Sequence, residues 1–486
     1  MTRQRTGLLA GPIVFVLMLL LPAPAALAPE AWRVAAVAVL MVVWWISEAL
    51  PIPATALVPV VLFPVLGIAD IEAATRPYAN PLIFLFLGGF IIAQAMQRSG
   101  LHRRIALSIV GVVGTRPTAI VLGFMIAAAF LSMWVSNTAT AMMMLPIAVS
   151  IIKLVETDET MQAGGLQSNF ALVMLLGLAY ACNIGGMGTL IGTPPNALMA
   201  AFVRDNYDIE IGFGQWMLIG VPLVAVSLPL VFLMLVRVLF PIRLKRLPGG
   251  ARVIRDELEK AGAMSRDEKL VASVFGLTAA LWMTRPLLEP LLPGLSDAGI
   301  AIFGALLMFL LPVDFRKLRF VLAWSDAKKL PWGVLILFGG GLSLASGITD
   351  SGLADWIGGS FRALEGLHIA ALILLAASGV ILLTEVTSNT ATAAAFLPIL
   401  ASVAIGMGLD PLVLAVPAAF AASCAFMLPV ATPPNAIVFG SGLISIPEMA
   451  RAGILVNLVM VFIITAAMFL LMGWVFGVGA ASGGAG

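Results

Sequence analysis

The sequence has little charge for its length, and this shortage excludes a soluble fold. Asp, Glu, Lys and Arg make up only 11% of the 486 residues, whereas 61% are hydrophobic. A soluble chain of this size needs far more polar surface to cover its core. The formal net charge is only +2, so the total charge predicts neither a nucleic-acid partner nor an acidic one.

Cysteine and histidine are also scarce, and this argues against a metal centre or an enzyme. Cys182 and Cys424 lie in runs of small apolar residues, which predicts buried packing positions and neither a disulfide nor a metal site. His102 and His368 lie far apart in the chain, near predicted helix ends. No recognisable pair of nucleophile and base accompanies them, so we predict that the protein is not an enzyme.

Long uncharged stretches are what the chain does have. A bilayer core of about 30 Å takes about 20 apolar residues to cross as a helix. The stretches long enough to span are Leu8–Ala28, Val173–Phe202, Trp216–Val236 and Ile454–Phe476. The sequence therefore predicts an all-α polytopic membrane protein that resides in the cell (inner or plasma) membrane.

The first apolar stretch has two interpretations. Arg3 and Arg5 precede it and Ala26-Leu27-Ala28 ends it, a pattern that also occurs in secretory signals with a cleavage site. Pro29 follows directly, and the stretch is long enough to span. We therefore favour a retained first transmembrane helix in residues 1–29.

An internal repeat organises the rest of the chain. The hexapeptide Ser-Asn-Thr-Ala-Thr-Ala begins at Ser136 and again at Ser388, an offset of 388 − 136 = 252 residues. Leu-Pro-Ile, Ser-Gly-Leu and Gly-Gly recur with the same offset. A second motif, Thr-Pro-Pro-Asn-Ala, begins at Thr193 and at Thr432, an offset of 432 − 193 = 239. The chain therefore contains two related halves.

The repeat and the charged stretch between its copies define the predicted domains. The first repeat spans residues 30–245 with a re-entrant hairpin at about 117–153. A cytoplasmic linker follows at 246–267, with a short amphipathic helix. The second repeat spans 268–478 with a re-entrant hairpin at about 369–404.

Basic residues indicate the orientation, because Lys and Arg concentrate on the cytoplasmic side. We predict about 11 transmembrane helices, a cytoplasmic N-terminus and an extracytoplasmic C-terminus. Of the 27 Lys and Arg residues, 27 − 5 = 22 then fall at the inner side. The five at the outer side are Arg33, Arg76, Arg204, Arg285 and Arg362. Each half holds five spans and a hairpin, and an odd number of spans inverts the second half relative to the first.

The Ser-Asn-Thr motifs place polar residues within apolar stretches, where unpaired polar groups are costly. These residue types favour turns and helix N-termini, so each motif suits the tip of a helical hairpin. The helix that follows presents free N–H groups and a partial positive charge to an anion. The alternative is that the motifs only connect neighbouring helices, and their symmetric duplication argues against it.

The Thr-Pro-Pro-Asn motifs predict breaks in two further helices. Two consecutive prolines remove two backbone donors and leave the preceding carbonyl groups without helical partners. At membrane depth this is tolerated around a protein-lined cavity or an ion. The freed carbonyls, with the hydroxyls of Ser132, Ser136, Thr384 and Thr387, form a set of hard neutral oxygens that suits Na⁺. The alternative is a simple proline kink.

Neither motif contains Lys or Arg. An anion bound there must be held by amides, hydroxyls, helix N-termini and bound cations, which predicts that cations bind first and the anion second. Glu385 lies in the second predicted hairpin, where its counterpart in the first is Met133. We interpret it as a hydrogen-bonding residue that stabilises the hairpin; direct cation ligation is the alternative.

With its paired motifs in order, the chain resembles the divalent anion:sodium symporter family, which includes bacterial dicarboxylate transporters and animal citrate, dicarboxylate and sulfate carriers. The resemblance extends from Trp44–Ala49 to the second Thr-Pro-Pro-Asn. It implies a homodimer in which a transport domain moves like an elevator against a scaffold domain.

The resemblance also implies two or more Na⁺ sites and one anion site. The first Na⁺ site would use Ser132, Ser136, Asn137 and Gly192. The second would use Thr384, Thr387, Asn389 and Ala431. The anion would be held by Asn137, Thr138, Thr193, Asn389, Thr390 and Thr432, with Pro433 shaping the pocket. Thr193 stands where some dicarboxylate carriers have Ser, and its extra methyl narrows the pocket.

The leading functional hypothesis is Na⁺-coupled symport of a C4-dicarboxylate such as succinate, malate or fumarate. Sulfate or citrate as the substrate, and dicarboxylate exchange without Na⁺, remain alternatives within the same fold. An anion channel is the alternative from another class. Hairpin tips that close the site favour a carrier.

Overall fold

The fold is almost entirely helical. The computed structural model describes residues 3–114, 116–156, 166–242, 250–361 and 366–478. Arg362 and positions 246–249 of the predicted linker lie outside these ranges. The β structure of the described residues is one antiparallel pair, β1 (Pro312–Asp314) and β2 (Arg319–Phe320).

The helices of the N-terminal half begin at residue 3 and end before the linker. They are α1 (Arg3–Leu20), α2 (Pro29–Ser47), α3 (Ile52–Thr55), α4 (Val58–Val65), α5 (Ile71–Thr75), α6 (Pro81–Ser99), α7 (Leu101–Val113), α8 (Pro117–Ser132), α9 (Asn137–Glu156), α10 (Leu166–Gly186), α11 (Pro194–Tyr207) and α12 (Phe213–Leu233). A 3₁₀ turn (Arg76–Ala79) follows α5, and a π-helical turn (Met234–Leu239) extends α12.

The linker and the C-terminal half contain the remaining helices. They are α13 (Gly250–Ala261), α14 (Arg266–Leu288), α15 (Asp297–Leu310), α16 (Trp324–Ala327), α17 (Trp332–Asp350), α18 (Leu353–Ser360), α19 (Ile369–Thr384), α20 (Asn389–Gly406), α21 (Leu412–Ala422), α22 (Pro433–Phe439) and α23 (Ile446–Phe476).

Helix lengths agree with an all-α polytopic membrane protein. Nine helices among the described residues are long and apolar enough to cross a bilayer, and shorter apolar helices accompany them. The shorter ones include α8 and α19, the first arms of the two predicted hairpins. The count of 11 spans and the re-entrant course of the hairpins stay predictions.

Both Ser-Asn-Thr motifs lie where two helices meet at a short turn. Helix α8 ends at Ser132 and α9 begins at Asn137; α19 ends at Thr384 and α20 begins at Asn389. The Ser136 hydroxyl accepts a hydrogen bond from the Ala139 amide at 3.3 Å, as an N-cap serine does. The polar residues thus begin the second helix of each pair.

The two halves pack crosswise. Helix α9 of the first half lies against α22 of the second, and α20 of the second half lies against α11 of the first. Each Ser-Asn-Thr helix therefore packs on the Thr-Pro-Pro-Asn helix of the other half. This arrangement brings residues more than 200 positions apart in the chain into one region.

An ion pair and hydrogen bonds to backbone carbonyls hold the linker helix α13 against α7, and a second ion pair joins α7 to the first turn of α14. Arg103 pairs with Glu257, and Arg104 contacts Glu268 at 2.7 Å. Arg104 also donates to the carbonyls of Ala261 and Gly262, each at 2.8 Å. A hydrogen bond from Lys260 and the nearby Arg103 lower the pKa of Glu257. The segment that joins the halves is thus fastened to the first half.

Candidate functional site

The first polar cluster forms at the turn between α8 and α9. The Ser132 hydroxyl, which is fully buried, donates a hydrogen bond to Oδ1 of Asn137. Ser136 caps α9 next to it. Three of the four groups predicted for the first Na⁺ site therefore lie together on this turn.

Two glycines let the backbone approach the Asn137 amide closely. A Cβ added to Gly186 would lie 2.9 Å from Asn137 Oδ1 and 3.1 Å from the Gly192 carbonyl oxygen. A Cβ on Gly192 would in turn lie 2.3 Å from the Gly186 carbonyl oxygen. The Asn137 amide oxygen and these two carbonyl oxygens therefore lie close together, at a place where no side chain fits. Such hard neutral oxygens fit an alkali cation.

The second polar cluster repeats the first at the offset of 252 residues. The Thr384 hydroxyl lies 2.8 Å from Oδ1 of Asn389, as Ser132 does beside Asn137. It also lies 3.0 Å from the Ala422 carbonyl oxygen. Thr387 donates to Leu383 O at 2.9 Å and forms a hydrogen bond with Thr392. The Ala422 carbonyl is an oxygen that the sequence did not single out.

The asparagines of the Thr-Pro-Pro-Asn motifs hold the broken segments that precede them. Nδ2 of Asn196 donates to the carbonyls of Gly186 at 3.1 Å and Thr189 at 2.8 Å. Nδ2 of Asn435 donates to Ala425 O at 3.0 Å and Leu428 O at 3.1 Å. Both asparagines are fully buried. Sequence reasoning gave them no role, although their identical place in both motifs was a usable signal.

The threonines of these motifs are each contacted from the opposite half. Nδ2 of Asn183, on α10, donates to Oγ1 of Thr432 at 3.0 Å. The Ser423 hydroxyl, just after α21, lies 3.5 Å from Oγ1 of Thr193. The sequence predicted neither Asn183 nor Ser423, because neither has a polar counterpart in the other half.

Glu385 joins the second hairpin to the segment before Thr432. Its carboxylate accepts hydrogen bonds from the backbone amides of Phe426 (2.7 Å), Met427 (2.9 Å) and Leu428 (3.2 Å). Nδ2 of Asn457, on α23, donates to it at 2.6 Å. In the first half the Thr189 hydroxyl donates to the Met133 carbonyl at the equivalent junction. These contacts agree with the hydrogen-bonding interpretation of Glu385.

The remaining predicted residues are neighbours of these clusters. Thr138 and Thr390 lie in the first turns of α9 and α20, Thr138 half-buried and Thr390 buried. Ala431 is buried and directly precedes Thr432, whereas Pro433 is exposed. Among the described residues, the contacts thus pair Ser132 with Asn137 and Thr384 with Asn389, and they join each motif threonine to the opposite half. That the other predicted residues share these sites stays a prediction.

Sequence comparison identifies relatives along the whole chain. Residues 3–478 match the family model described as the sodium:sulfate symporter transmembrane region. A protein of Staphylococcus saprophyticus named sodium-dependent dicarboxylate transporter SdcS is 46% identical over 483 residues, which covers 98% of this chain and 92% of the relative. The protein of the same name from Staphylococcus aureus strain MRSA252 is 46% identical over 484 residues, covering 98% and 93%.

Two solved structures share the fold at low sequence identity. The Neisseria gonorrhoeae MtrF structure, titled as illuminating a class of antimetabolite efflux pumps, aligns with a TM-score of 0.59 and 12% identity, covering 97% of this chain and 96% of that one. The Alcanivorax borkumensis YdaH transporter aligns with a TM-score of 0.53 and 14% identity, covering 90% and 98%. At these identities the likeness concerns the fold alone.

Proposed function

Because the chain belongs to the sodium:sulfate symporter family, we propose that it is a secondary transporter that couples Na⁺ entry to uptake of a C4-dicarboxylate such as succinate, malate or fumarate. The observation that carries this is the 46% identity, over 98% of the chain, to proteins named sodium-dependent dicarboxylate transporters. The family assignment agrees with the resemblance drawn from the paired motifs.

The two polar clusters are the proposed cation sites. Ser132, Ser136, Asn137 and Gly192 form the first, and the Gly186 carbonyl adds a further oxygen. Thr384, Thr387, Asn389 and Ala431 form the second, to which the Ala422 carbonyl adds another. The support is the repeated contact of a buried hydroxyl with an asparagine Oδ1 in both halves. Neutral oxygens can replace the water ligands of Na⁺, so the site does not require a protein carboxylate.

The dianion is proposed to bind between the clusters. Its ligands are Asn137, Thr138, Thr193, Asn389, Thr390 and Thr432, with Pro433 at the edge. The helix N-termini at Asn137 and Asn389 direct free N–H groups and partial positive charge toward the carboxylates. Bound Na⁺ supplies the full positive charge that these motifs lack, so cations bind before the anion.

Transport is proposed to occur by an elevator movement of the hairpins and broken helices within a homodimer. In this arrangement the N-terminus is cytoplasmic and the C-terminus extracytoplasmic, in the cell (inner or plasma) membrane. The support is the family resemblance, together with the distribution of Lys and Arg along the sequence.

The decisive test is succinate uptake into proteoliposomes with and without an inward Na⁺ gradient. We expect Na⁺-dependent uptake that unlabelled malate inhibits, and that Asn137→Ala or Asn389→Ala abolishes. Ser273→Ala serves as the control and should transport normally, because Ser273 is exposed and its hydroxyl donates to the carbonyl of Lys269, one turn earlier.

Other outcomes would point to a different activity. Uptake that ignores Na⁺ but rises with internal dicarboxylate would mean exchange and would overturn the cation sites. Uptake of sulfate or citrate in place of succinate would keep the coupling and change the substrate; the family description itself names sulfate. Single-channel currents would mean an anion channel.

A further inference from the structure

The Thr432 hydroxyl is held from two sides by hydrogen-bond donors. Asn183 Nδ2 donates to Oγ1 at 3.0 Å, and the Asn435 backbone amide donates to the same atom at 3.4 Å. A hydroxyl has one proton to donate and two lone pairs that accept. When two donors occupy both lone pairs, the proton must be directed elsewhere. The Thr432 hydroxyl is therefore fixed as a donor.

The contact is made in a site that excludes water. Asn183 is 1% exposed and Thr432 is 3% exposed. Among the described residues, Asn183 Oδ1 is a buried oxygen without a hydrogen-bond partner, so the amide is held by its Nδ2 side alone. In such surroundings one hydrogen bond determines the orientation of a hydroxyl, since no water competes for it.

The symmetric threonine is held differently. Thr193 begins α11 without a side-chain capping bond, and among the described residues its hydroxyl contacts only Ser423, at 3.5 Å. Thr432 caps α22 and is fixed by Asn183. The position equivalent to Asn183 in the second half is 183 + 239 = 422, an alanine. The hydroxyls of Thr193 and Thr432 are therefore not chemically equivalent.

We infer that Asn183 is a positioning residue that orients the Thr432 hydroxyl as a hydrogen-bond donor to one carboxylate of the transported dianion. The inference rests on the proposed function, since it takes Thr432 as an anion ligand. Asn183 belongs to the first repeat and Thr432 to the second, so this hydrogen bond connects the two repeats. Asn183 lies three residues before Gly186, whose carbonyl borders the first proposed cation site.

The test is a double-variant cycle on succinate uptake in proteoliposomes with a saturating Na⁺ gradient. Asn183→Leu keeps the volume and removes the donor; Thr432→Val keeps the shape and removes the hydroxyl. Loss of a hydrogen bond to a charged group predicts a KM for succinate raised about tenfold by each change, with the maximal rate nearly kept. The double variant should have the KM of Thr432→Val alone.

Control variants separate orientation from packing. Asn183→Ser, whose shorter side chain adds no bulk, should raise KM in the same way. Cys182→Ala, one residue earlier on the same helix, should leave KM unchanged. A KM within twofold of wild type for both Asn183 variants overturns the inference, and so does a double variant whose KM change is the product of the single changes. A wild-type protein that does not transport dicarboxylates refutes the proposed function instead.

Discussion

Individual side chains in this protein mostly stabilise breaks in the helices. Asn196 and Asn435 donate to carbonyls in the irregular segments that precede the two proline pairs. Glu385 accepts from amides of the same kind of segment. Unpaired backbone groups within a bilayer each cost several kcal/mol. These side chains therefore allow an irregular backbone to persist at the depth where the ions are proposed to bind.

The amide of Asn435 provides a direct test of this role. Asn435→Leu removes the side-chain donor from the carbonyls of Ala425 and Leu428, of which Leu428 O still accepts from the Ala431 amide at 3.2 Å, so we expect a loss of about 2 kcal/mol in the free energy of unfolding. Thermal unfolding in detergent should show a clearly lower midpoint. Asn206→Ala should lose less than about 1 kcal/mol, because the Asn206 amide is half-buried and donates to the carbonyl of Phe202, one turn earlier. Equal midpoints for both variants would contradict the assignment.

Among the helices, the linker element α13 shows how the two halves are joined. It is fastened to α7 through Arg103 and Arg104, and the two arginines differ in burial. The Arg103 side chain is half exposed, whereas that of Arg104 is 16% exposed and binds both Glu268 and two carbonyls. An exposed ion pair contributes little, and a buried, multiply bonded one contributes more.

Limited proteolysis distinguishes these two contacts. Arg104→Ala should release the segment after α13, so trypsin should cleave after Lys260 and Arg266 about tenfold faster. Arg103→Ala should change the rate less than twofold, because its pair is exposed to solvent. Mass spectrometry of the fragments measures both rates. Equal rates for the two variants would mean that Arg104 does not fasten the linker.

At the scale of the whole molecule, the relative orientation of the two repeats depends on how many times each half crosses the membrane. An odd number of spans per half inverts one repeat relative to the other, and this inversion lets two similar segments face each other across one site. The crosswise packing of α9 on α22 and of α20 on α11 agrees with such an arrangement. Orientation in the bilayer is the property that an experiment must decide.

Cysteine labelling tests the orientation. Glu289 and Lys317 are both exposed and flank α15, Glu289 in the segment before it and Lys317 in the segment after it. With Cys182 and Cys424 replaced by Ala, we expect Glu289→Cys to react with a membrane-impermeant thiol reagent in intact cells. Lys317→Cys should react only after permeabilisation. The reverse pattern would invert the proposed topology, and equal labelling would show that α15 does not cross the bilayer.

The sequence by itself determined the all-helical membrane class, the two related halves and the four motif positions. Apolar stretches long enough to span, and identical residues at a constant offset, are properties of the order of residues alone. The contacts of Ser132 with Asn137 and of Thr384 with Asn389 recur at the same offset, because each joins residues five positions apart across a turn.

Only the tertiary structure decided which segments meet across the halves. Asn183 and Thr432 lie 249 positions apart, and no periodicity links them. The sequence did not predict the contacts of Ser423 and of the Ala422 carbonyl either, because neither position belongs to a motif that recurs in the other half. The physical reason is that helix periodicity and turn chemistry are local, whereas the packing of one half on the other depends on the shapes of both.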